Sequence, residues 1–181
     1  MDRIFVKPLV TQEALRTRIK ELGKQISQDY QGKDLVVVGV LKGAYVFYAD
    51  LVRAIRLPLH IDFLIAKNRP VKNMPGKTVK VWSDLTEKIK KKHVLLVEEI
   101  VDSGKTARFL MEKLLKKGPA SVEICTLLSK TGNRKVPMSL RYVGFEVPST
   151  YVVGYGLDYQ QTYRNLPYLA HIDQAILKEG S

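Results

Sequence analysis

Residues 94–106 constrain this chain more than any other stretch. They read Val94-Leu95-Leu96-Val97-Glu98-Glu99-Ile100-Val101-Asp102-Ser103-Gly104-Lys105-Thr106. An apolar run of strand type ends in two adjacent carboxylates. Two aliphatic residues and a third carboxylate follow, and the chain then turns through Ser-Gly into a helix. Backbone N–H groups at a turn that opens a helix can hold a phosphate. The small residues Ser103 and Gly104 allow close approach to it. Adjacent carboxylates suit a diol, such as the two hydroxyls of a ribose, or a hard cation such as Mg²⁺. Asp102, at the lip of the turn, is placed to handle a proton. Gly104-Lys105-Thr106 also looks like the end of a P-loop, but position 99, where that motif needs its first Gly, is Glu. A plain buried strand with an acidic turn accounts for the backbone, but not for three carboxylates so close together.

The rest of the chain supplies matching elements. Thr11 to Tyr30 reads as an amphipathic helix with Thr11 as N-cap and Ala14, Leu15, Ile19, Leu22 and Ile26 on one face. Leu35 to Leu41 is a Val-rich buried strand, Ala44 to Ile55 a helix and His60 to Ile65 a strand. Pro70, Pro75, Gly76 and scattered lysines suggest a mobile loop over 68–78, and Val79 to Trp82 a short strand. A helix from about Lys105 to Lys117 stops at Gly118-Pro119. Ser121 to Ser129 is another strand, with shorter ones near 140–145 and 150–153. Alternating strands and helices predict an α/β fold with a mainly parallel sheet. Ligands of such sheets bind beyond the carboxyl ends of the strands. That rule gathers Lys42, Glu98, Asp102 and Lys130 on one rim, since each follows a predicted strand.

At 181 residues the chain fits one domain, 1–181. No apolar run is long enough to span a membrane, and Met1-Asp2-Arg3-Ile4 lacks the apolar core of a signal peptide, so a cytoplasmic location is expected. The single cysteine, Cys125, lies in an apolar run and reads as a core thiol. His60, His93 and His171 are scattered and suggest no zinc site. The net charge is +12, and residues 67–92 hold nine bases against two acids, hence +7 of it. Such a cluster attracts polyanions. It lacks the interleaved aromatics of a single-strand binding groove, so nucleic acid is not the expected partner.

The 94–106 segment resembles the phosphoribosyl-pyrophosphate (PRPP) signature of the type I phosphoribosyltransferases. Leu41-Lys42-Gly43-Ala44-Tyr45-Val46-Phe47 resembles the first βα turn of the hypoxanthine-guanine branch. Leu127-Leu128-Ser129-Lys130 is similar to its purine-contacting lysine segment. Tyr151 to Tyr159 and Tyr163-Arg164-Asn165-Leu166-Pro167 resemble its purine-binding hood. The resemblance implies a twisted, mainly parallel sheet flanked by helices, with a small hood built from about 150–175 and the N-terminal segment. It implies transfer of the 5-phosphoribosyl group from PRPP to hypoxanthine or guanine, giving IMP or GMP and pyrophosphate, with Mg²⁺ and a homodimer or homotetramer.

Roles follow position by position from the resemblance. Asp102 acts as general acid/base at the purine. Glu98 and Glu99 face the ribose hydroxyls and a metal. Ser103, Gly104, Lys105 and Thr106 bind the 5′-phosphate. Lys42, Gly43 and Arg164 bind pyrophosphate, with a cis peptide before Lys42. Lys130 donates to the purine O6, Tyr151 stacks on the base, Val152 bonds its edge through backbone groups, and Asp158 helps hold a second Mg²⁺. Three positions depart from the family pattern. Glu99 stands where Asp is usual, Ser103 where Thr is common, and Lys67-Asn68 where the family's mobile loop has Ser-Tyr. Two other readings stand beside the salvage enzyme: a nucleotide-sensing or nucleic-acid-binding regulator on the same scaffold, and a xanthine-accepting enzyme.

Overall fold

Apolar residues that alternate between two covered faces produce a strand with no polar side, and three such strands form the centre of this protein. A computed structural model describes residues 5–70 and 77–172. Its elements run β1 (Phe5–Val10), α1 (Gln12–Asp29), β2 (Leu35–Leu41), α2 (Tyr45–Ala54), β3 (His60–Pro70), β4 (Lys77–Ser83), β5 (His93–Val101), α3 (Lys105–Leu115), β6 (Ser121–Ser129), β7 (Tyr142–Glu146), β8 (Val152–Val153) and β9 (Leu169–Ile172). On β2 and β5, Leu35, Val37, Leu95 and Val97 pack towards α1 and α2. Their neighbours Val36, Val38, Val94 and Leu96 pack with Leu110 and Leu114 of α3. The side-chain period of two, with helices on both faces, is why these runs read as continuously apolar.

The main sheet has the order β4-β3-β2-β5-β6-β7, parallel except for β4 at one edge. The chain leaves β2 towards β3 on one side and leaves β5 towards β6 on the other. The switch point therefore lies between β2 and β5, where a crevice is expected. The register opens it. β2 and β5 pair only as far as Gly39↔Val97. β2 stays with β3 to Leu41↔Ile65, and β5 stays with β6 to Val101↔Ser129.

The helices dock through ordinary side-chain chemistry. The Thr11 hydroxyl accepts from Ala14 N at 3.2 Å, capping α1. Leu15, Ile19, Leu22 and Ile26 are buried, whereas Ala14 is exposed, one position off the predicted face. Gly23 lets α1 approach α2 closely, for a Cβ there would lie 2.6 Å from Ala54. α3 is tied to the β4–β5 connection by Asp84, whose Oδ2 is 2.8 Å from Lys113 Nζ and 3.2 Å from Lys117 Nζ. Burial pushes the Asp84 carboxyl up, but these ammonium groups and the Leu85 N–H outweigh it and hold it below the usual range. A depressed carboxyl contributes stability above its unfolded pKa and loses it as pH falls. Asp84→Asn is therefore expected to lower stability by less than about 1 kcal/mol at neutral pH, since the group is partly exposed. Urea titrations of the two proteins should converge below about pH 4.

Several sequence expectations change. At 68–70 and 77–78 the predicted loop is instead strand, pairing antiparallel as Asn68↔Val79, Arg69↔Thr78 and Pro70↔Lys77. Residues 71–76 of that expectation lie outside the described residues. The lysines of β4 fit because it is an edge strand, where charge is tolerated, and Pro70 lies at the end of β3, past Ile65, where β2 no longer pairs with it. β4 is longer than the expected 79–82, and α3 ends at Leu115, with Lys116 as C-cap. β1 and β9 were not predicted. They pair with each other, and β8 joins them, in a second sheet ordered β1-β9-β8. Cys125 is fully buried, and burial pushes its thiol up. No helix among the described residues is long and apolar enough to cross a membrane.

Candidate active site

The crevice between β2 and β5 is a cavity of 690 Å³. Lys42 and Gly43 line it from the end of β2, and Glu98 and Glu99 from the end of β5. Asp102, Ser103, Gly104 and Thr106 enter from the turn into α3, and Asp158 and Arg164 from the segment after β8. Ten of the fourteen sequence-predicted site residues thus line one cavity. Lys105, Lys130, Tyr151 and Val152 are not on it. A groove of 1440 Å³ between α1, α2 and residues 164–167 is larger, but Arg164 is the sole predicted residue on it. Its size does not outweigh the carboxylates and helix N-terminus of the smaller cavity.

The turn after β5 is built for an anion. Gly104 occupies the N-cap of α3 with φ of 81°, a conformation that favours glycine. Having no side chain, it contributes no cap of its own to the N-terminus of α3, which opens beside the cavity. Ser103 Oγ lies 3.5 Å from Lys105 N. The turn is held from behind, where Lys135 N and Val136 N both donate to Ser103 O, at 3.0 and 3.2 Å. The sequence reading missed this brace, since the 131–136 segment carries no strand or helix pattern to mark it.

The carboxylates are strained for partners. Glu98 is only 5 % exposed. Burial, and then the charge of Glu99, push its carboxyl well above the usual range. Burial also raises Glu99 to about 7, against the pull of Arg164. Glu98 Oε1, Glu99 Oε2 and Asp102 Oδ1 are buried with no hydrogen-bond partner. Buried lone pairs are expensive to leave unmade, so these oxygens invite hydroxyls or a hard cation. Among the described residues no three His, Cys, Asp or Glu side chains gather tightly enough to hold a metal alone. Mg²⁺ commonly takes one or two carboxylates and completes its shell with substrate oxygens and water.

The opposite wall is cationic. The peptide Leu41–Lys42 is cis. Gly43 is pressed against Glu99, for any Cβ at position 43 would overlap that carboxylate. Arg164 Nη2 pairs with Asp158 Oδ1 at 2.7 Å, and its Nη1 donates to Gly156 O at 2.7 Å. Gln161, which the sequence reading did not single out, braces both partners. Its N–H donates to Asp158 Oδ2 at 2.8 Å, and its Oε1 accepts from Arg164 at 3.2 Å. Both Asp158 oxygens are thus engaged in orienting Arg164.

The remaining predicted residues sit to one side. Lys130, 12 % exposed in its side chain, points its Nζ to within 3.9 Å of Asp102 Oδ2. Its backbone N–H donates to Val101 O, which anchors β6 to the signature turn. Tyr151 is 46 % exposed, with its ring edge-on to Tyr159 at 5.7 Å. Val152 is buried on β8 opposite His171. Lys105 is exposed on the first turn of α3.

Comparison with known proteins agrees with this geometry. The phosphoribosyl transferase domain family matches residues 6–160. The hypoxanthine phosphoribosyltransferase of Haemophilus influenzae is 42% identical over 175 residues, 95% of this chain and 98% of that protein. The hypoxanthine-guanine phosphoribosyltransferase of Dictyostelium discoideum is 39% identical, over 94% of this chain and 97% of that protein. Among solved structures, a hypoxanthine phosphoribosyltransferase from Staphylococcus aureus superposes with a TM-score of 0.90 at 40% identity, covering 95% of this chain and 94% of the other. The Trypanosoma cruzi hypoxanthine phosphoribosyltransferase superposes with a TM-score of 0.92 at 35% identity, covering 99% and 97%.

Proposed function

This chain belongs to the phosphoribosyltransferase family, and we propose that it is a purine-salvage pentosyltransferase. It moves the 5-phosphoribosyl group from PRPP to hypoxanthine or guanine, giving IMP or GMP and pyrophosphate. The observation that carries this reading is the β2–β5 crevice. It places the N-terminus of α3, three carboxylate oxygens without a hydrogen-bond partner and two cations around one cavity.

The roles follow from that arrangement. The 5′-phosphate sits on the 103–106 turn, where backbone N–H groups and the helix dipole favour an anion. Glu98 and Glu99 take the ribose hydroxyls. Lys42 and the backbone of Gly43 hold pyrophosphate, and Arg164, aimed by Asp158 and Gln161, reaches it with a guanidinium fork. Asp102 handles the proton at the purine, close to Lys130, which donates to O6. Tyr151 supplies a face for the base, and Val152 offers backbone groups at its edge. The second sheet, β1-β9-β8, serves as the hood of a single domain.

Glu98 and Glu99 are the residues placed to hold Mg²⁺ together with substrate oxygens. When bound there, such an ion would supply charge neutralisation to the pyrophosphate leaving group. Asp158 serves first to orient Arg164, and any share in a second ion competes with that pair. The assembly is a homodimer or homotetramer in the cytoplasm.

Pyrophosphate release from PRPP and Mg²⁺ tests this, with hypoxanthine, guanine, xanthine and adenine offered separately. Turnover with hypoxanthine or guanine and little with adenine is the expected result; no turnover with any base would sink the proposal. Lys130→Ala should cut the preference for 6-oxopurines over adenine by about 10- to 100-fold, the worth of one charged hydrogen bond of ~1.5–3 kcal/mol. An unchanged preference would remove Lys130 from base recognition.

A further inference from the structure

Asp50 and Tyr155 have no role in the chemistry above, yet they join two walls of the cavity. The Tyr155 hydroxyl donates to Asp50 Oδ2. Asp50 lies on α2, which begins two residues after Gly43, and also accepts from Arg53. Tyr155 lies on the segment that leads to Asp158 and Arg164. Gly154, Tyr155 and Gly156 all have positive φ, of 95°, 49° and 103°. A bulky side chain is uncommon in that conformation and persists where its surroundings over-determine it. Here Tyr155 N donates to Leu166 O at 2.9 Å, Gly156 N donates to Arg164 O at 3.0 Å, and the ring is almost fully buried.

This left-handed turn brings backbone against backbone. A Cβ at position 156 would overlap the Gly43 carbonyl oxygen. Arg164 in turn donates to the Gly156 carbonyl. The turn that anchors Arg164 therefore rests directly on the Lys42–Gly43 turn. The Asp50–Tyr155 hydrogen bond is the lateral pin between them, fastened to the helix that grows out of the Lys42–Gly43 turn.

We propose that Asp50 and Tyr155 are a positioning pair that sets the spacing of Arg164 and the Lys42–Gly43 turn, and so the grip on the pyrophosphate half of PRPP. This rests on the function proposed above. The pair acts mainly on PRPP, because Asp102 and Lys130 hang from β5 and β6, and Tyr151 and Val152 precede Gly154, with Val152 held to β9 through its pairing with His171.

The test is steady-state kinetics and thermal unfolding of Tyr155→Phe, Asp50→Ala and Asp50→Asn, which keeps an acceptor oxygen. Tyr155→Phe and Asp50→Ala should each raise the KM for PRPP about tenfold, short of the ~100-fold that a 1 Å misplacement can cost. The KM for hypoxanthine should stay near that of the parent, and Asp50→Asn should recover most of the loss. The double variant should be no worse than Asp50→Ala alone, since both remove one bond. Equal increases in both KM values, additive losses, or a lower Tm with the PRPP KM unmoved would overturn the proposal. If the parent itself turns over no base, the functional reading fails separately. The pin is then judged by calorimetry with Mg²⁺ and pyrophosphate, where weaker binding to Tyr155→Phe supports it and equal binding overturns it.

Discussion

Asp102→Asn is expected to lower turnover by about 10²–10⁴-fold, the usual worth of a positioned acid/base, while GMP still binds. The asparagine keeps nearly the same shape and an acceptor oxygen, but it does not exchange a proton with the purine. The site around it should hold, because Asp102 Oδ1 has no hydrogen-bond partner to lose. Its other oxygen faces Lys130 Nζ only at 3.9 Å. Single-turnover kinetics with PRPP and hypoxanthine, paired with calorimetric GMP binding, separates the two effects. Unchanged turnover would remove Asp102 from the chemistry, and lost GMP binding would make it a binding residue instead.

Gly43→Ala should be nearly as damaging, for a steric reason. Its Cβ would fall on the Glu99 carboxylate, while Gly156 blocks retreat by lying against the Gly43 carbonyl. Either the Lys42–Gly43 turn or Glu99 must shift. A displacement near 1 Å can cost ~100-fold in rate, and overpacking typically destabilises by about 1–3 kcal/mol. We expect kcat/KM for PRPP to fall by that order, with a lower Tm. Adding Glu99→Asp shortens the obstructing side chain by a methylene and should restore part of both. If the double variant is no better than Gly43→Ala, the clash with Glu99 is not what makes glycine necessary at position 43.

The central architecture was legible because its signals are local. β2, β5 and β6 are buried on both faces and read as apolar runs. α1 shows its stripe and its Thr11 cap, and Gly118-Pro119 signals the end of α3 three residues past its last helical residue. The second sheet gave no such signal. β1 and β9 pair from opposite ends of the chain, Phe5 with Ile172 and Pro8 with Ala170, and β9 has four residues. At 68–70 and 77–78 the loop expectation failed for a related reason. Proline and lysine mark loops on average, but an edge strand accepts lysine, and a strand end paired on one side only accepts proline.

The candidate site divides in the same way. Residues 98–106 form one contiguous strand–turn–helix, so their order alone determined that Glu98, Glu99, Asp102 and the Ser103-Gly104 turn lie side by side. Spacing along a strand and entry into a helix are properties of the local backbone. Tertiary structure alone decided which groups face that turn. It ended the β2–β5 pairing at Gly39↔Val97 and so opened the cavity. It set Gly43 between Glu99 and Gly156 and brought Tyr155 to Asp50. These meetings join residues about sixty to more than a hundred positions apart, and they arise from how the helices and the second sheet pack on the main one. No local preference encodes them, because each depends on the summed geometry of every element between its partners.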